Sequence, residues 1–196
     1  MNDLSLDELA KLSLGELAAK FRQRGDTCAL ASMMFSVAML FRDTSYISGP
    51  ILRDIELIFT EENAYQVLRH KVFPEGIVKE RSREPILIEH ISKYLSLNGY
   101  NERYYPATRD NVVENIRDNP VIALSFPCGP LQWKKFFGSG TSHDWWAGHV
   151  ICAVGTDLED GLLYFEPLAG EMRKKNLSGF NKIYGGEVAV ITPSKN

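Results

Sequence analysis

The chain is short of the features that would assign it to a class at once. Three cysteines in 196 residues (Cys28, Cys128 and Cys152) are too few, and odd in number, for a disulfide framework. They fit a reducing compartment and leave each thiol available for chemistry. No uncharged apolar run reaches the roughly 18–20 residues of a membrane span. The longest helical one, Thr27 to Phe41, reads instead as a buried core helix. Excess positive charge is missing as well: 22 Lys and Arg against 25 Asp and Glu leave a net charge of −3. A nucleic-acid binder draws its affinity from basic residues that neutralise phosphates, so that class is not expected. There is no repeat, low-complexity tract or Pro/Gly/Ser linker. The N-terminus, MNDLSLDELAKLSLGELAAK, lacks the basic and apolar regions of a Sec signal peptide. The expectation is a cytoplasmic protein, or one exported without such a signal.

What is present is an ordinary globular balance, 44% hydrophobic and 24% charged, which excludes disorder and fibrous repeats. A single domain over residues 1–196 is expected, with residues 1–20 as an N-terminal helical extension. Helix signals fill the first half. Ser5 with Glu8, and Ser13 with Glu16, are capping-box patterns. After the Arg24–Asp26 break, Thr27 is placed to cap a helix beginning at Cys28 and apolar nearly all round. Further helices are predicted over Pro50–Phe59, Glu61–Lys71 (capped by Thr60), Pro85–Leu97 (ended by Asn98-Gly99) and Arg109–Arg117. Strands are predicted over Tyr100–Tyr105, Pro120–Phe126, His149–Gly155, Leu162–Glu166 and Glu187–Thr192, the third and fourth joined as an antiparallel hairpin. Helices first and an antiparallel sheet after make an α+β pattern.

Cys28 stands at the first turn of the central helix, where unpaired backbone N–H groups and the helix dipole favour a thiolate. A thiolate nucleophile needs an imidazole as ion-pair partner and proton donor. His70 and His90 fall on amphipathic helices among charged neighbours and read as surface. His149 opens a strand, which holds a side chain more firmly than a loop, so it is the first candidate; His143, in a Gly/Ser/Thr-rich loop, is the second. The imidazole needs an acceptor in turn. Glu166 is the lone acid at the end of the apolar strand that would return beside His149, whereas Asp157, Glu159 and Asp160 belong to the turn. An oxyanion would need two donors, for which the Cys28 N–H and the Gln23 side chain are candidates. Trp145 and Trp146 either wall the cleft or pack in the core. His149 and Cys152 would face opposite sides of a strand, so zinc is not expected. Gly138-Ser139-Gly140 has no flanking strand and helix for a phosphate loop, and no Ser sits in a nucleophile elbow.

The order Gln, Cys on a buried helix, His on a strand, acid on the next strand resembles the papain-like cysteine peptidase superfamily. Within it, the chain looks most like the bacteriocin-processing, double-glycine-type peptidases and their stand-alone relatives. The matching pieces are RQRGDTCALASMM, NVVENIRDNPVIALSF, GHVICAVGTDLEDGLLYFEPLAG and NLSGFNKIYGGEVAVI, spread over residues 20–192. The resemblance implies a papain-like fold, with the Cys28 helix packed on a twisted antiparallel sheet. It implies Cys28 as nucleophile, His149 as base and acid, Glu166 as orienting residue and Gln23 as oxyanion donor. It implies a peptide or protein substrate and no cofactor. Departures are a Gln-to-Cys spacing one residue short, Thr-Cys-Ala in place of Asp-Cys-Gly, and Glu where Asp or Asn is usual. No ATP-binding or membrane region accompanies these pieces, so an export-coupled peptidase is not expected. The same machinery also serves glutamine deamidation or acyl transfer, as in bacterial effectors, and a degenerate module would bind peptide without cutting it.

Overall fold

The structure, a computed structural model, describes residues 6–25, 27–72, 88–125, 149–156, 161–177 and 187–194, the side chains of 88–90, 92, 121–125 and 187 excepted. At its centre lies the helix that the sequence makes apolar on almost every side. α3 (Cys28–Thr44) buries Ala29 through Ala38 without a break, then Leu40 and Phe41. That is possible only because neighbours surround it: α1 (Leu6–Lys11), α5 (Ala64–Val72) and α6 (Ile88–Leu97) pack on it, and the sheet covers the remainder. The helix ends at Ser45, left-handed at φ 56°, whose N–H donates to the Phe41 carbonyl at 2.7 Å.

Several local expectations hold. α2 (Leu14–Lys20) opens with the reciprocal capping box: Glu16 N–H donates to Ser13 Oγ at 3.2 Å, and Ser13 N–H donates to Glu16 Oε2 at 2.8 Å. Gly99, at φ 82°, follows α6 and turns the chain into a strand. α1 and α2 contribute Leu9, Leu17 and Ala18 to the same core as α3. Two caps behave differently. Thr60 is not the cap of the next helix but the last residue of α4 (Gly49–Thr60), its hydroxyl donating to the Glu56 carbonyl at 2.9 Å, and α5 starts only at Ala64. Bonding back to the i−4 carbonyl competes with capping. Thr27 precedes α3 as expected, yet its Oγ1 donates to the Arg24 carbonyl at 3.0 Å and accepts the Arg24 N–H at 3.3 Å. It closes the preceding turn and leaves the first N–H groups of α3 uncapped by its side chain.

The strands are β1 (Tyr100–Pro106), β2 (Val121–Ser125), β3 (His149–Thr156), β4 (Gly161–Glu166), β5 (Glu171–Asn176) and β6 (Glu187–Pro193). They form one sheet in the order β1-β6-β2-β3-β4-β5, with every neighbouring pair antiparallel. Thus the α+β reading holds, and β3–β4 is the expected hairpin. β5 was not expected: EMRKKN has no apolar face, because it lies at an edge, paired with β4 alone, where charge discourages further pairing. β3 is apolar on both faces because both are covered. Val150 and Cys152 meet the α3 side, while Ile151 and Ala153 meet α7 (Arg109–Ile116) through Val112 and Ile116. Among the described residues no helix is long and apolar enough to cross a membrane.

Phe35 of α3 stacks on Phe165 of β4 with ring centroids 4.3 Å apart, and meets Phe21 edge-on at 6.0 Å. This aromatic column ties helix, sheet and N-terminal segment together. Phe35→Ala should therefore cost about 3–5 kcal/mol, read as a loss of unfolding free energy in urea. An exposed aromatic on β1, Tyr104, should lose far less on the same change.

Candidate active site

Three element ends meet at one place. Cys28 is the first residue of α3, His149 the first of β3 and Glu166 the last of β4. The helix start and strand start are tied by Ser32, one turn after Cys28, whose buried hydroxyl donates to the Val150 carbonyl at 3.0 Å. A serine inside an otherwise apolar helix is a signal that some buried partner exists. The hairpin then brings the end of β4 back beside the start of β3.

A bulge in that hairpin decides which way the carboxylate points. Cys152 pairs with Phe165 and Ala153 with Tyr164, but Gly155 pairs with Leu163, so Val154 is an extra residue on β3. Had the Gly155 and Thr156 register continued, Glu166 would lie opposite Cys152 and face α3. The single-residue slip instead puts Glu166 on the face shared by His149, Ile151 and Ala153. Gly155 is the one local sign of this in the sequence, since glycine in a strand often marks a bulge.

The resulting contacts are short and dry. His149 Nε2–H donates to Glu166 Oε1 at 2.7 Å, with the two side chains 5% and 1% exposed. The same oxygen accepts the Leu168 N–H at 3.2 Å. Glu166 Oε2 is buried with no hydrogen-bond partner among the described residues. A buried carboxylate with so little other compensation needs a counter-charge, and His149 is placed to supply it. On its other side the imidazole hydrogen-bonds the Cys28 side chain. With Nε2 committed to the carboxylate, Nδ1 is the nitrogen left for the sulfur. Burial is the largest single influence on His149 and opposes the imidazolium. The Glu166 charge, the hydrogen bonds from Cys28 and Glu166, and the Cys28 charge together outweigh it, raising the pKa to about 10.

Gln23 is brought to the same corner. Its backbone N–H donates to the Pro167 carbonyl at 2.8 Å, next to Glu166. Its side-chain Nε2 donates to the Gly25 carbonyl at 2.7 Å, and its Oε1 is buried without a partner among the described residues. Gly25 takes φ 67°, which a side chain would strain, and so closes the short turn between Gln23 and Thr27. The turn after Glu166 requires Gly170 for two reasons: φ 69°, and an Arg22 side chain that would lie 2.6 Å from any added Cβ.

Cys152 packs in the helix-side core, where burial pushes its thiol pKa up, and it takes no part in this cluster. His70 is exposed on α5. His143, Cys128, Trp145, Trp146, the turn acids Asp157, Glu159 and Asp160, and Gly138–Gly140 lie outside the described residues, as does the side chain of His90. Sequence reasoning named Cys28, His149, Glu166 and Gln23. It missed Ser32, the Pro167 carbonyl and the bulge. No protein-family model matches the chain, and no curated protein matches it.

Ser32→Ala should lower stability by about 1 kcal/mol, the usual worth of such a bond, in urea unfolding. It should also slow alkylation of Cys28 by iodoacetamide. Ser36→Ala is the control: its hydroxyl donates within α3, to the Met33 carbonyl, so stability should fall without an effect on that rate.

Proposed function

We propose that the chain is a cysteine-dependent hydrolase of papain-like fold that cleaves an amide bond in a peptide or protein. The observation that carries this reading is the run of contacts from the Cys28 thiol through the His149 ring to the Glu166 carboxylate. Packing and structural ion pairs account for a buried His–Glu contact. They do not account for a half-buried thiol placed at a helix N-terminus on the far side of the same ring.

In this reading Cys28 reacts as thiolate beside the His149 imidazolium. The sulfur attacks the carbonyl carbon, and the oxygen takes up negative charge. Two donors are candidates for that oxygen: the Cys28 backbone N–H at the start of α3, and the Gln23 amide hydrogen not used by Gly25. As the C–N bond breaks, the Nδ1 proton passes to the leaving amine, leaving an acyl-enzyme and a neutral ring. Water then attacks the thioester, giving its proton back to Nδ1, and the acid product leaves. Glu166 touches no substrate; it orients the ring and stabilises its charged form. This chemistry calls for no metal or organic cofactor.

The test is chemical first. Iodoacetamide near neutral pH should label Cys28 well ahead of Cys152, located by peptide mapping; equal rates would remove the basis for an activated thiol. Against a peptide library, Cys28→Ala should abolish cleavage and His149→Ala should reduce it about a hundred- to ten-thousandfold. Fast labelling without cleavage would point to a peptide-binding module. Ammonia release from glutamine, or acyl transfer to an added amine, would point to a deamidase or acyltransferase.

The pH dependence follows from His149. Its proton is needed for the leaving amine and stays bound until pH rises through about 10, so kcat/KM should fall on the alkaline side near that value. Glu166→Gln removes the charge that favours the imidazolium, so this alkaline limb should move to lower pH. An unmoved limb would mean that the carboxylate does not control the ring.

A further inference from the structure

A cavity of about 390 Å³ opens beside the segment that carries Gln23. Among the described residues, Lys20, Arg22 and Arg24 stand around it against one lining acid, Glu61, with the buried ring of Tyr65 in its lining. The whole chain carries a net charge of −3, so this cluster is opposite in sign to the molecule that bears it. Each of the three basic side chains also touches a neighbour. Arg24 Nη1 donates to the Glu62 carbonyl, Lys20 Nζ sits 5.5 Å from the centroid of the Phe59 ring, and the stem of Arg22 lies against Gly170. A guanidinium already anchored, as that of Arg24 is, loses less freedom when a ligand arrives. Past Gly170, the edge strand β5 carries Arg173, which pairs with Glu171 at 3.5 Å, and then Lys174 and Lys175 on opposite faces. Gln23 joins the cavity to the candidate active site: it lines the one, and its N–H is bonded to Pro167, the residue after Glu166, in the other.

We propose that this cavity receives an acidic segment of the peptide substrate, its carboxylates drawn to Lys20, Arg22 and Arg24 while the scissile amide reaches Cys28. The word substrate rests on the hydrolase reading above; the recognition of acidic peptide does not. A peptide suits the site better than a nucleic acid, because the chain as a whole is acidic, with a net charge of −3, and repels a polyphosphate outside this patch.

The experiment is fluorescence anisotropy with the full chain carrying Cys28→Ala, so that the probe stays intact. Three labelled peptides of equal length are compared, one rich in Glu, one with Gln at those positions and one with Lys. The Glu peptide should bind about tenfold or more tightly than the Gln peptide, and the Lys peptide least. That preference should shrink as NaCl rises from about 0.05 M to about 0.5 M. It should vanish in Arg22→Gln/Arg24→Gln, exposed positions whose change leaves the core alone. Equal binding of the three peptides, or an undiminished preference in the double variant, would overturn the proposal. So would displacement of the Glu peptide by a short single-stranded oligonucleotide at lower concentration than by unlabelled Glu peptide. Cys28 labelling is measured separately, so an inert thiol with intact peptide discrimination would sink the hydrolase reading and leave this one standing.

Discussion

The contact between His149 and Glu166 is the constraint around which this corner of the molecule is arranged. Neither group sees solvent to any extent, and a carboxylate in that position is costly unless a cation faces it. The Glu166 charge and the contact with Cys28 therefore favour the protonated ring over the neutral one. What makes the pair possible is backbone geometry: a one-residue bulge at Val154 that rotates Glu166 onto the His149 face, and a Gly170 turn tight enough to let Arg22 pack against it.

Cys28 depends on a different part of the fold. Its position is set by α3, and α3 is set by burial on nearly every side, including the Phe35–Phe165 stack. The Ser32 hydroxyl then couples the helix to β3 within one residue of His149. Helix-held thiol and sheet-held imidazole are thus joined twice, by that buried bond and by the contact between the two side chains. The arrangement places Cys28, His149 and Glu166 on helix and strand ends rather than on loops, and such rigid elements hold side chains more precisely. Where the helical layer and the sheet meet, the Gln23 turn runs between them and bonds to Pro167.

Much of this was legible from residue patterns. An apolar run with a cysteine at its head and a polar turn before it announces a buried helix with a thiol at its N-terminus. A lone acid closing the strand LLYFE announces a carboxylate with a partner, and a short acidic turn with Gly161 announces the hairpin that brings it home. What stayed hidden was decided by context. EMRKKN reads as coil because an edge strand needs no apolar face. Thr27 and Thr60 have the composition of helix caps, but their hydroxyls found nearer carbonyls. The bulge leaves only Gly155 as a trace, and Ser32 resembles any small residue in a helix until its distant acceptor is seen.

The central claim is a proton held on His149 by the carboxylate on one side and the sulfur on the other. Nitrogen NMR of the His149 ring through a pH titration measures that proton directly. The account predicts an imidazolium at neutral pH, with both nitrogens protonated until the pH approaches about 10. A neutral ring that titrates near its ordinary value, about 6.5, would contradict it.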